Sequence, residues 1–340
     1  MTINLYEPQV PAERQHPIFK MILQDCFTPE RAVLEQWAKD FNDRDGKFVQ
    51  EFQMNFESCF WELYLHAVLK EWKLPVNMSY HTPDFMVEGN YPFGLEATIA
   101  ASPVGGKAAF GFSKEDIPDC FTQFNIGATL RICNSFDSKI KRYREHYANL
   151  KQMKNKPFVI GIAAFDRPMA HLAGSHPILT ALYGLYYDED ATLGDAEEVV
   201  SYNVSTAPKN ENVHIEVGLF CNDKYSEVSA VIYSSVATWG KIRALADNPE
   251  ARTIYSTVHA IEGQLLANIR SQSKRDYIEH LMDGLFVLHN PFARYPLPAS
   301  LFTHQRIAQV TVTPDGILFF DAPDDFLLVR MLMSIIDRKA

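Results

Sequence analysis

The chain has 340 residues, is 47% hydrophobic and carries a formal net charge of −10. That length and apolar content suffice for a large core in one elaborated domain or two, and the acidic balance argues against a surface that is cationic all over. There is no run of eighteen apolar residues and no charged-then-apolar leader, and the five cysteines are dispersed without a CxxC pair or an HExxH helix. A membrane span and a zinc site are therefore not expected, and a reducing, cytoplasmic location is.

In chain order, the segment to Asp45 reads as partly helical, for example over residues 29–41. Residues 56–72 predict a long helix whose apolar positions cover most of its circumference, which places Glu62 near the rim of a buried element. Residues 82–100 predict two short strands around a turn at Gly89-Asn90, with Pro92 where no ladder donor is required. A looped insertion runs through Asp119. A basic helix over residues 128–147 then leads into an apolar strand, Phe158–Phe165. Further on come a helix near residues 177–186, a polar loop to Asn212, and strands over residues 214–220 and 228–235 separated by an Asn-Asp-Lys-Tyr turn. Residues 249–281 read as helical, residues 285–298 as a strand entering a proline-rich turn, and residues 307–320 as a hairpin on Pro314-Asp315-Gly316.

The strand pair around Asn90 is the most informative stretch. Asp84 and Glu96 lie six residues to either side of the turn centre, so a hairpin sets them directly opposite one another. Such neighbours have Cβ atoms about 4.5–5.5 Å apart. Two carboxylates at that separation repel unless a cation lies between them or one takes a proton. Period-two alternation puts Phe85, Val87, Leu95, Ala97 and Ile99 on one face and Asp84, Gly94, Glu96 and Thr98 on the other, which specifies the register. Taken singly, each acid has an ordinary explanation: Glu62 as a helix-surface partner of His66 and Lys70, Asp84 as a turn residue, Glu96 on a solvated sheet face.

Pro83-Asp84, then Glu96-Ala97-Thr98, preceded by Glu62 on a helix, resembles the PD-(D/E)XK nuclease superfamily over residues 56–165. The resemblance implies an α/β fold: a restriction-endonuclease-like core with a mixed central sheet flanked by helices, extended at both termini. The expected division is a helical extension at 1–50, the core at 51–240, and a helical and strand extension packed on it at 241–340. It further implies that Glu62, Asp84 and Glu96, with the Ala97 carbonyl, hold magnesium (or manganese), and that the substrate is nucleic acid, DNA in preference to RNA. Roles in restriction or phage defence and a homodimeric state belong to the same analogy.

One departure is plain. Thr98 occupies the position of the motif lysine and carries no charge. Either a neighbouring element supplies the cation or catalysis is lost, leaving a scaffold that binds nucleic acid or protein. On the basic helix, Lys139 is the first candidate and Arg131 the second, since they are eight residues apart and share a face with Ser135; Lys107 is a third. Charge is also segregated: residues 131–156 hold eight Lys or Arg against two acids, whereas residues 188–198 hold six acids and no base. Arg131, Lys139, Lys141 and Arg142 are thus the expected contacts to a phosphate backbone. Asn290 and Arg294 are further residues that could approach the site.

Overall fold

The structure is a computed structural model that describes residues 3–192, 199–261 and 267–336. Four helices come first: α1 (Pro17–Ile22), α2 (Thr28–Ala38), α3 (Phe48–Met54) and α4 (Phe56–Glu71). β1 (Val76–Asn77), β2 (Phe85–Val87) and β3 (Phe93–Ala101) follow, then α5 (Phe121–Glu145), β4 (Phe158–Phe165) and α6 (His176–Tyr183). Next are β5 (Leu185–Tyr187), α7 (Glu189–Thr192), β6 (Ser201–Asn203), β7 (Thr206–Asn210), β8 (Val213–Glu216), β9 (Val228–Ser234) and α8 (Trp239–Leu245). The last strands are β10 (Ala251–His259), β11 (Asn268–Ser273), β12 (Leu285–His289), β13 (Ile307–Val312), β14 (Leu318–Asp321) and β15 (Leu327–Ile336).

The central sheet is mixed and flanked by helices, with strand order β1-β2-β3-β4-β9-β12-β13-β14. Pairings β3–β4, β4–β9 and β12–β13 are parallel, and the other four are antiparallel. β4 is buried along its whole length because parallel neighbours flank it and helices cover both faces, which is why its sequence is apolar without alternation. On one face, α4 packs with α1–α3 and α8 against Phe85, Val87, Phe93 and Leu95. On the other, Ile132, Phe136 and Ile140 of α5, with α6, pack against Met86, Ala100 and Ile160. Trp61 on α4 donates its indole N–H to the Gly161 carbonyl at 3.0 Å, fastening helix to sheet.

The hairpin register matches the symmetric reading around Asn90: Phe85 pairs with Leu95 and Val87 with Phe93, which aligns Asp84 with Glu96. α5 begins seven residues earlier than its charge pattern suggests, at Phe121. The expected strand over 214–220 is formed only at β8, which pairs with β7 in a separate ribbon and not with the central sheet. The expected helix over 177–186 ends at Tyr183, and β5 pairs there with β6 of the expected polar loop; the acids of residues 193–198 lie outside the described residues.

Residues 249–281 are not helical where described. They form β10 and β11, which with β15 make a three-stranded antiparallel sheet. The physical reason lies in the side chains: Thr253-Ile254-Tyr255-Ser256-Thr257-Val258 is β-branched and aromatic, and its burial alternates with period two. β12, β13 and β14, from the segment expected to be a C-terminal extension, continue the central sheet, and β13–β14 is the predicted hairpin. No helix among the described residues is long and apolar enough to cross a membrane.

Candidate functional site

β2 covers only the first residues of β3, so Asp84 stands where the two strands part and the edge of β3 opens. There its Oδ2 accepts a hydrogen bond from the Ala97 N–H at 2.8 Å, while the Asp84 N–H donates to Glu96 Oε2 at 3.3 Å. The two acids are thereby interlocked, each fixed by the other's strand.

Glu96 faces α5. Lys139 Nζ lies 2.8 Å from Glu96 Oε1, and the Tyr147 hydroxyl donates to the same oxygen at 3.0 Å. Ser135, one turn before Lys139, donates to the Ile99 carbonyl at 2.8 Å and pins this face of α5 on β3. Glu96 is 3% exposed, and Arg142, mostly exposed, approaches it to 3.8 Å. Burial and then the Glu96 charge push the Tyr147 hydroxyl upward, so it remains a donor across the neutral range.

Glu62 is on α4, across the sheet from α5, and reaches the pair through Arg44. The Arg44 guanidinium stands 3.6 Å from Glu62 Oε1 and 3.5 Å from Asp84 Oδ1. It also donates to the carbonyls of Tyr80, His81, Pro83 and Asp84 at 2.9–3.2 Å, lacing the turn that precedes β2. The cleft here holds about 180 Å³ and is lined by Asp43, Asp45, Glu51, Glu62 and Asp84, with Arg44 the cation among them. Burial, then Asp84, raises the Glu62 carboxyl to about 8; burial, then Glu96, raises Asp84 to about 6.

The oxygen donors suit a hard dication. Their placement is a separate matter. Among the described residues, no three Asp, Glu, His or Cys side chains are gathered as around one ion. Arg44 holds the position between Glu62 and Asp84, and one oxygen of Glu96 is committed to Lys139 and Tyr147. The donor chemistry suits such an ion, while in this arrangement Arg44 stands between Glu62 and Asp84. In this structure Ala97 contributes its N–H to Asp84.

The remaining expected residues separate. Lys141 and Arg142 are 75% and 57% exposed on the C-terminal half of α5, Arg142 beside Glu96 and Lys141 beside Glu145. Arg131 lies two turns back, lining a different cavity with Asp166 and Arg167. Lys107 pairs with Asp116 at 2.5 Å in the loop after β3 and does not reach Glu96. Asn290 is buried and ties loops together, donating to the Tyr225 and Val228 carbonyls at 3.1 and 2.8 Å; the backbone of Arg294 binds Ser226. His66 is buried, with Nδ1 at 2.9 Å from the Trp37 carbonyl. Two residues of the site were not anticipated. Arg44 sits in a loop between Asp43 and Asp45, and only an arginine isolated among acids hinted at it. Tyr147 follows the basic helix, where a tyrosine carries no positional signal.

The fold is a mixed α/β architecture with an acidic cleft at the parting of two strands and, on the α5 face, a lysine bound to Glu96. No protein-family model, curated protein or solved structure matches this chain.

Proposed function

We propose that the chain is a metal-dependent phosphodiester hydrolase acting on nucleic acid, DNA in preference to RNA, with Asp84, Glu96 and Lys139 at its centre. The observation that carries this reading is the triad itself: two acids interlocked across β2 and β3, with the Lys139 ammonium 2.8 Å from Glu96. Lys139 comes from a helix, at a point where Thr98 offers no charge.

Each residue has a role that follows from its contacts. Tyr147 holds Glu96 in one orientation. Lys139 presents a positive charge where negative charge develops on the phosphoryl oxygens, the kind of preorganised stabilisation that dominates such reactions. Asp84, with Glu62 and the cleft acids, would hold magnesium or manganese, which when bound offsets phosphoryl charge and lowers the pKa of a water. Lys141 and Arg142, exposed on the same helix, would meet the phosphate backbone.

The test is plasmid and single-stranded DNA cleavage by the purified chain with magnesium or manganese, beside Asp84→Asn and Glu96→Gln. Cleavage by the parent, lost in both variants, supports the reading. Cleavage that persists in both sinks it.

A second reading has its own observation. Arg44 is bound to four carbonyls as well as to Glu62 and Asp84, so a guanidinium stands where a dication would. On that reading the chain is a scaffold that binds nucleic acid without cutting it. DNA binding by Lys141 and Arg142 with no cleavage in any divalent metal would favour it.

A further inference from the structure

A second cavity, remote in chemistry from the acidic cleft, lies at the carboxyl ends of three parallel strands. Phe165 ends β4, Trp239 opens α8 soon after β9, and Phe110 is in the loop that follows β3; all three line it. Crevices at this end of a sheet, where connections leave in different directions, are where open α/β folds bind small ligands. Met331 of β15 closes the remaining side, and the volume is about 510 Å³. That falls within the range of small-molecule sites, and apolar walls with few polar groups are their usual composition.

Glu57, Arg167, Thr238 and Ser256 are among its polar lining residues, and two others are unusual. Arg330 Nε and His171 Nε2 are both buried and have no hydrogen-bond partner among the described residues. They are near enough that the Arg330 charge, after burial, helps hold His171 down to about 4. The rest of the Arg330 guanidinium is satisfied: one terminal nitrogen lies 2.5 Å from Glu279, and the other donates to the Val236 carbonyl at 2.7 Å. Glu279 is shared with Lys241, also at 2.5 Å, so two fully buried cations face one carboxylate. An excess of buried positive charge is costly until an anion joins it. Water is a poor candidate for the whole space: about 30 Å³ is one molecule's share of the liquid, and these walls would leave most molecules without partners.

We propose that this cavity binds a small amphiphilic carboxylate, its apolar body between Phe110, Trp239 and Met331 and its head group on Arg330 Nε and His171 Nε2. The head accepts from the Arg330 N–H and from the His171 Nε2–H tautomer, completing both donors and balancing the Lys241–Glu279–Arg330 cluster. The proposal is independent of nuclease activity.

Isothermal titration calorimetry with two acids and two neutral counterparts tests it. The probes are octanoate against octanol and 1-naphthoate against 1-naphthalenemethanol, which also tell a flexible chain from an aromatic body. At least one acid is expected to bind about tenfold or more tightly than its alcohol, a difference of about 1.4 kcal/mol. His171→Phe, which keeps a ring and removes the nitrogens, should weaken that acid about tenfold and leave the alcohol unchanged. Met331→Trp, at a partly exposed strand position, should fill the space and weaken acid and alcohol alike. The proposal is overturned if neither acid binds, if acid and alcohol bind equally, or if both variants bind the acid as the parent does.

Discussion

At the scale of single residues, the chemistry of this protein is concentrated in how its carboxylates are neutralised. Glu96 is neutralised by Lys139, a lysine forty-three positions away that the fold delivers through α5. Lys139→Met removes that charge and leaves a side chain of similar reach. If the hydrolase reading holds, cleavage should fall about 10²–10³-fold, the cost of losing one preorganised stabiliser, with circular dichroism unchanged. Equal cleavage rates for parent and variant would remove Lys139 from the mechanism.

Glu62 is neutralised differently, by keeping its proton. Its carboxyl is raised from the ordinary value of 4.5 to about 8 by burial and Asp84. A group whose folded pKa lies above its unfolded one favours the folded state most when protonated in both. Its contribution is therefore complete below about pH 4.5 and is lost as pH rises through about 8. In metal-free buffer with a chelator, the thermal midpoint should fall from pH 5 to pH 8, and Glu62→Gln, which cannot ionise, should flatten that fall by a few degrees. An unchanged slope would mean that Glu62 titrates normally in solution.

Among the elements, α5 does most to assemble the site. Its apolar stripe, Ile132, Phe136 and Ile140, seats on the sheet, Ser135 and Lys139 address β3, and Lys141 and Arg142 remain in solvent. Arg144, half exposed, is engaged by Glu227, and Lys141 stands 3.9 Å from Glu145. The half-helix thus offers a short cationic edge beside Glu96. If the proposed nucleic-acid reading holds, replacing Lys141 and Arg142 together with alanine should weaken DNA binding for all sequences alike. The slope of log affinity against log salt should become shallower by about two, one for each phosphate that is no longer neutralised. Fluorescence anisotropy across a salt series measures both, and an unaltered slope would place nucleic acid elsewhere or nowhere on this protein.

The element scale also shows where sequence reading succeeded. The β2–β3 register followed from a turn centre and strict alternation, because a one-residue slip would have exposed Leu95 and buried charge in its place. By contrast, residues 249–281 read as helix from their local pattern and, where described, fold as β10 and β11. Their segment carries polar residues at the spacing of either periodicity, and its β-branched run becomes decisive only once β15, some seventy residues on, pairs with it.

On the scale of the molecule, distant segments are tied by buried charge as well as by apolar packing. Glu30 of α2, fully buried, binds Arg243 of α8 and accepts from Asn248 Nδ2 at 2.9 and 3.0 Å. Arg243 also donates to Ser334 of β15 at 2.8 Å, so one guanidinium joins the N-terminal helices to the last strand. Arg243→Met would leave the Glu30 carboxylate buried without its cation. Urea unfolding should show a loss of about 3–5 kcal/mol, and the double variant Glu30→Met/Arg243→Met should recover much of it. A loss below about 1 kcal/mol in the single variant would show that Glu30 finds another partner.

What the amino-acid order determined on its own was local: the long buried α4, the hairpin that sets Asp84 opposite Glu96, the apolar β4, the cationic character of α5. Each is dictated by period, turn chemistry or composition within a short stretch of chain. Only the tertiary structure decided which charges meet. It put Lys139 rather than Arg131 or Lys107 on Glu96, threaded Arg44 between Glu62 and Asp84, and left Glu62 on the opposite side of the sheet from α5. The physical reason is that ion pairing acts through space, at about 3–4 Å, between side chains whose proximity follows from how helices seat on a sheet and not from their distance along the chain.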